Sequence, residues 1–359
     1  MIPERFKRPV LLAYHRRYAE ALAEYNVYLG LDPGNVAVVT PELGVVPATD
    51  LLFAWSNRAG LMNMLGRGRE ATLQQWLLTR QVFAKAGRRL WEGQPLDDHE
   101  RLFVRCGEKP GLGDAILQAR YVPEMRRRAR NLTLMGLPQP LCKLFAEQFD
   151  VTGTPKSLDP GDRFFCGYSW GANPVSVDPA WQPTFPYLKA DLEKAAGWRA
   201  RFRSECDLAV GLNWTGSKEA HETGRTCDPN HSPKPLTTVP RHIKFYGVNP
   251  AAKPTFLPEG LNFSNAPAES VRTWQDTLAV LDALDLLVST DTSLVHAVGA
   301  LGRPCWMLLP YHLAEMWGPI VARRTSLYPS ITVFQQRTPG EWRPLFEEIA
   351  KLLTNGPPL

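Results

Sequence analysis

The stretch from Leu286 to Trp306 reads LLVSTDTSLVHAVGALGRPCW, and its reading decides the fold. Leu286-Leu287-Val288-Ser289 has the composition of a buried strand. It ends at Thr290-Asp291-Thr292-Ser293, and a helix rich in small residues follows at once, with Gly302 and Pro304 marking its end. A strand passing directly into a helix is the unit of a parallel α/β sheet, and ligands of such sheets bind where strand carboxyl ends meet helix amino ends. Free backbone N–H groups there, the hydroxyls of Thr292 and Ser293 and the helix dipole suit a diphosphate. Ala297, Gly299, Ala300 and Gly302 leave the helix free to lie close on the sheet. His296, one turn in, is within reach of a phosphate or ribose. A plainer reading stands beside this one: Thr292 or Ser293 caps the helix and His296 is structural. Asp291 is negative, so it needs a basic partner at such a site or serves to hold the loop.

Outward from this stretch the same alternation continues. Strands are expected in LAVGLNW (208–214), IKFYGV (243–248), LNFSN (261–265), PCWMLL (304–309) and ITVF (331–334), with helices over 270–284, 293–301 and 340–353. An earlier alternating unit has strands at 101–106 and 131–135 and a helix from about Asp114 through Ala129. Residues 152–185, rich in Pro, Gly and aromatics, give no clear element, and 186–204 reads as a hinge. Before residue 90 the pattern is helical: Tyr18, Ala21, Leu22, Tyr25 and Leu29 share one face until Asp32-Pro33-Gly34-Asn35 stops the helix, and a second helical piece covers 55–83. The expected plan is a helical unit over 1–90 and two doubly wound parallel-sheet domains, 91–200 and 201–359.

The bulk composition agrees with that plan. The chain has 359 residues, 44% of them hydrophobic and 21% charged, enough for two or three cores without disulfide staples. A net charge of +5 suits phosphate-bearing ligands without demanding them. The densest basic run, Arg126, Arg127, Arg128 and Arg130, has no interleaved aromatics, so it reads as a solvated helix face and nucleic acid is not an expected partner. Six scattered cysteines have neither zinc-ligand nor redox spacing and are expected as buried free thiols, with no metal site. The amino terminus lacks the apolar run of a signal peptide and no segment approaches the ~20 apolar residues of a membrane helix. A cytoplasmic protein is expected.

Two further segments carry chemistry. In GEKPGLGDAILQARY (107–121) a glycine-rich turn brings Asp114 into the first turn of a helix, where its carboxylate can accept a proton from an incoming hydroxyl or simply complement the helix dipole. In GLNWTGSKEAHETGRT (211–226) a strand leaves into a loop with Lys218, His221 and Arg225, whose charge would face a departing diphosphate or be incidental on a solvated loop.

Taken together and in order, WEGQPL (91–96), EKPGLGDAILQARY, PYLKAD (186–191), VGLNWTGS and the string from Asp276 to Pro310, followed by SLYPSITVFQQ and GEWRPLFEEIAKLL, resemble the bacterial glycosyltransferases fused to tetratricopeptide repeats, a module similar to the ADP-heptose heptosyltransferases. Tyr18-Ala19-Glu20-Ala21, Leu31-Asp32-Pro33 and Leu65-Gly66-Arg67 with Glu70-Ala71 resemble the repeats themselves. The resemblance implies a GT-B fold and a metal-independent, inverting transfer from a nucleotide-diphosphate sugar to a protein or glycan hydroxyl, without a cofactor. It assigns Asp114 as base, with Gly111, Gly113 and Gln118 on the acceptor side. Asn213, Thr215, Asp291, Thr292, Ser293, Leu294 and His296 fall on the donor side, together with a basic residue that is either Lys218 or Arg225. The turn before Asp114 is one residue longer than the family's Glu-Gln-Gly-Leu-Gly-Asp, and GYSWGANPVSVD replaces its usual Ser-Leu-Pro. Two rival readings remain: an inactive binding or adaptor protein, and transfer to a nucleic-acid base.

Overall fold

A computed structural model of the chain describes residues 2–43, 49–85, 87, 89–105, 111–151, 163–166 (main chain only), 173–216, 224–252, 257–312 and 315–356. The chain divides into two compact units, Met1–Pro183 with His312–Pro319, and Thr184–Tyr311 with Ile320–Leu359.

Unit 1 begins with helices α1 (Lys7–Tyr14), α2 (Tyr18–Tyr28), α3 (Thr49–Met64) and α4 (Gly68–Lys85), each packed on the next. Phe6, Leu22, Tyr25, Ala54 and Met62 form the apolar centre of this layer. Its polar centre is Arg58, fully buried on α3. The guanidinium donates to Asn26 Oδ1 at 2.8 Å, Gln74 Oε1 at 3.0 Å and the Ala37 carbonyl at 2.8 Å. Gln74 bonds both the N–H and the C=O of Val39. The chain leaving α2 is thereby fixed to α3 and α4 by bonds that burial makes costly to lose. Residues 312 and 315–319 add to the layer: His312 stacks on Tyr14 with ring centroids 4.9 Å apart, Trp317 is fully buried, and its short 3-10 turn packs on α3.

The rest of unit 1 is a parallel sheet of β1 (Arg101–Arg105), β2 (Asn131–Met135) and β3 (Arg163–Cys166), ordered β2-β1-β3. The third strand lies in the stretch that gave no clear element in the sequence. The helix expected from Asp114 to Ala129 is interrupted: α5 (Leu112–Gln118) ends in a 3-10 turn, and α6 (Val122–Arg128) restarts with Pro123 in its first turn, where its missing N–H costs nothing. The basic run is more than a solvated face, because each arginine has an acidic partner. Arg127 and Arg128 hold Glu124, Arg128 also reaches Asp178, Arg126 meets Asp150 and Arg130 meets Asp98.

Unit 1 continues with α7 (Gln139–Phe149) and the short α8 (Pro174–Val177), and the first helix of unit 2 is α9 (Leu192–Glu205). The hinge expected over 186–204 is therefore mostly helix. Asp191 caps it through the N–H groups of Glu193 and Lys194, and Lys194, Arg199 and Arg203 pair with Asp276, Asp282 and Asp285. Among the described residues six parallel strands follow: β4 (Leu208–Asn213), β5 (Ile243–Gly247), β6 (Phe263–Ser264), β7 (Leu286–Thr290), β8 (Cys305–Leu309) and β9 (Ile331–Gln335). Their order is β6-β5-β4-β7-β8-β9, which within the unit is 3-2-1-4-5-6, the order of a doubly wound dinucleotide-binding sheet. Helices α10 (Ala266–Ser270), α11 (Trp274–Ala283), α12 (Ser293–Ala300) and α13 (Arg343–Thr354) complete it. Phe346, Ile349 and Leu353 of α13 pack on Val210, Leu212, Val288, Trp306 and Leu308. The helix expected over 270–284 starts later because Thr273 caps α11 in a reciprocal pairing with Asp276.

Candidate functional site

In the sheet of unit 2 the chain leaves β4 toward β5 and leaves β7 toward β8, in opposite directions, so a crevice opens between the carboxyl ends of these neighbouring strands. Asn213, the last residue of β4, lies directly opposite Ser289 of β7 and is fully buried. Its Nδ2 donates to Ser289 Oγ at 3.0 Å and to Thr292 Oγ1 at 3.3 Å. Its Oδ1 accepts from Asn249 Nδ2 at 3.0 Å, and the same amide donates to the Thr215 carbonyl at 3.2 Å. Ser289 Oγ in turn donates to the Thr290 carbonyl at 2.7 Å. One buried amide thus ties together the ends of β4 and β7 and the loops after β4 and β5.

Thr292 is the N-cap residue of α12 by position, with extended backbone angles (φ −144°, ψ 173°), but its hydroxyl makes no capping bond and instead joins Asn213 and Ser289. The first-turn amides of Ser293 and Leu294 are therefore uncapped by that side chain, at the positive end of the helix dipole. The Leu294 side chain is buried, so only its main chain can serve a ligand. Asp291 is 3% exposed, and Arg225 Nη1 stands 3.6 Å from its carboxylate. Arg225 supplies the basic partner that Asp291 requires; two residues on, the N–H and thiol of Cys227 both donate to the Trp214 carbonyl. Burial pushes the Cys227 thiol far above its ordinary range, so it is a packing group and not a nucleophile. Lys218 and His221 lie outside the described residues.

His296 faces inward, 3% exposed, with Nδ1 3.0 Å from the Tyr328 hydroxyl. In unit 1, Asp114 is the third residue of α5 and exposed; its Oδ2 accepts the Gly111 N–H at 3.2 Å, the local capping contact that the plainer reading implies. Gly111 is exposed and Gly113 half-buried, while Gln118 is buried and its side-chain oxygen has no hydrogen-bond partner among the described residues. Glu108, Lys109 and Pro110 lie outside the described residues. The structure thus gathers Asn213, Thr215, Arg225, Asp291, Thr292 and Ser293 in unit 2, and adds Ser289 and Asn249. Ser289 was legible only through its register opposite Asn213. Asn249 stands in an Asn-Pro step that reads simply as a turn.

No protein-family profile matches the chain. It is 24% identical over 375 aligned positions to Protein FlbA of Caulobacter vibrioides, an alignment covering 95% of this chain and 61% of that protein, so the chain spans less than two thirds of its relative. Among solved structures, similarity extends to the ADP-heptose lipopolysaccharide heptosyltransferase II of E. coli (12% identity, TM-score 0.41, 71% of this chain and 99% of that one). It also extends to the iron-containing dodecameric glycosyltransferase TibC of enterotoxigenic E. coli (14%, 0.46, 69% and 66%) and to a family 9 glycosyl transferase of Veillonella parvula (13%, 0.43, 67% and 86%). No helix among the described residues is long and apolar enough to cross a membrane.

Proposed function

We propose that the chain is a glycosyltransferase of GT-B type. Unit 2 would hold the diphosphate of a nucleotide sugar beside Asn213, Ser289 and Thr292, and unit 1 would serve a protein or glycan acceptor. The carrying observation is the Asn213-centred polar cluster at the switch point of a 3-2-1-4-5-6 sheet, next to the uncapped start of α12. The order of the motifs in the sequence supports the same reading, as does the pairing of the helical segments, read as tetratricopeptide-like repeats.

In this mechanism Asp114 takes the proton of the acceptor hydroxyl. The hydroxyl oxygen bonds to the anomeric carbon as the bond from that carbon to the diphosphate oxygen breaks, and the electron pair leaves with the nucleoside diphosphate. In-line displacement inverts the anomeric centre. Arg225 and the α12 amides meet the charge of the leaving group, so the proposed reaction is metal-independent and uses no cofactor. The proposed location is the cytoplasm.

Thermal-shift measurements against a panel of nucleotide sugars test donor binding, since a ligand at 100 times its dissociation constant adds ~2.7 kcal/mol. Asp114→Asn is expected to lower transfer by about 10²–10⁴ with donor binding intact; turnover within a few-fold of wild type rules out the base role. A second reading, a binding protein without turnover, is favoured by the contact of Asp114 with the Gly111 amide. Donor binding by wild type with neither transfer nor hydrolysis selects it.

A further inference from the structure

Asn249 stands just past the end of β5 and makes the turn there. Its carbonyl accepts the Ala252 N–H at 3.0 Å, its Oδ1 accepts the Ala251 N–H at 3.0 Å, and Pro250 fixes the backbone between them. A backbone N–H can only donate, so the oxygen end of this side chain is settled. Its Nδ2 points the other way and donates to the Thr215 carbonyl at 3.2 Å, a group that can only accept. The same Nδ2 donates to Asn213 Oδ1 at 3.0 Å. The orientation of the buried Asn213 amide follows, with its oxygen turned to Asn249 and its Nδ2 turned to Ser289 Oγ and Thr292 Oγ1.

The hydroxyl protons follow in turn. Ser289 gives its proton to the Thr290 carbonyl at 2.7 Å, so in the 3.3 Å contact between Ser289 Oγ and Thr292 Oγ1 the donor is Thr292. Thr292 Oγ1 thus receives an N–H from Asn213 and holds its own proton in a long bond, which a charged phosphate oxygen can replace with a stronger one. If the Asn213 amide were reversed, its oxygen would draw that proton away and leave lone pairs facing the phosphate. We infer that Asn249 is a positioning residue of the donor site: acting through Asn213, it keeps the Thr292 hydroxyl a donor and so favours a ligand whose oxygens only accept, as those of a diphosphate do. This inference rests on the donor-site reading above.

Calorimetric titration of the full chain with whichever of ADP, UDP and GDP it binds tests the inference in two variants and their combination. Asn249→Ser keeps the turn, because a serine hydroxyl accepts the same N–H two residues on, but is too short to reach Asn213. Thr292→Val removes only a hydroxyl that makes no capping bond. Each is expected to weaken binding about tenfold, the scale of one hydrogen bond to a charged group. The double variant is expected to lose no more than either single one, because Asn249 acts through the Thr292 hydroxyl. Unchanged affinity in either single variant, or losses that multiply in the double, overturns the inference and leaves the donor site standing. A second measurement needs no change at position 249. In spectra of the ¹⁵N-asparagine-labelled wild type, the Asn213 Nδ2 protons, assigned by their loss in Asn213→Asp, are expected to show their strongest NOEs to the side chains of Ser289 and Thr292; strongest NOEs to the Asn249 side chain overturn the inference whatever any variant does. A wild type that binds none of the three nucleotides removes the donor-site reading, and the role of Asn249 with it.

Discussion

Asn213 concentrates the candidate site in one side chain. Its amide uses both ends, donating to two hydroxyls and accepting from Asn249. Asn213→Ala leaves those groups buried without their partner, which costs on the order of 1–3 kcal/mol. The expected result in calorimetry is a lower unfolding midpoint together with weaker ADP binding; full ADP affinity in the variant argues against a site built on this cluster. A second residue-scale prediction concerns Glu124 in unit 1. The hydrogen bond from Arg127, supported by Arg128, holds its carboxyl down at about 2 against burial, which acts upward. Because the folded value lies below the unfolded one, the stabilisation is fully present above about pH 4.5 and is lost as pH falls toward 2. Glu124→Gln is accordingly expected to be less stable than wild type at pH 7, with the gap closing through that window in denaturant titrations. A gap that stays constant with pH contradicts the ion-pair account.

At the scale of elements, two helical glycines in unit 2 make opposite predictions. Gly197 in α9 has open space where a Cβ would go, so Gly197→Ala is expected to stabilise by about 0.5–1 kcal/mol. Gly299 in α12 is pressed by the Tyr328 ring, so Gly299→Ala is expected to destabilise by about 1–3 kcal/mol through overpacking. Equal effects in thermal denaturation would contradict the packing described. The elements themselves were mostly legible. The strands of unit 2 are short apolar runs bounded by turn residues, and the junction at Thr290–Ser293 declares its strand and helix by an abrupt change of period. What was lost has physical causes. The helix α9 hides in LEKAAGWRARFRSE because few apolar positions mark its buried face and its anchorage is a row of ion pairs with residues some 80 positions away. The strand β3 is only four residues long. The site was legible in part: the sequence placed Thr292 and Ser293 at the helix start, but Asn249 joins through a sheet neighbour that no local spacing reveals.

For the whole molecule, the division into two units is the organising fact. Trp317, numbered between strands β8 and β9 of unit 2, is buried within unit 1 against the helical layer. Trp317→Ala is therefore expected to destabilise unit 1 by about 3–5 kcal/mol. In a protein of two units this is read as a shift of one unfolding transition, with ADP affinity of the folded protein unchanged. A shift confined to the transition of unit 2 would contradict the assignment.

The same segment has a consequence for how the protein can be taken apart. The chain passes from one unit to the other three times, at 183/184, 311/312 and 319/320. A single protease nick within 184–311 yields two fragments, each carrying part of both units, so the nicked protein should elute as one particle until it is denatured. For the same reason the helical layer is not an interchangeable cassette. A gene shortened to its first 183 codons would encode the four helices without the tryptophan that seals them, and a hybrid gene that exchanged only the front would need a receiving partner whose later sequence supplied that residue.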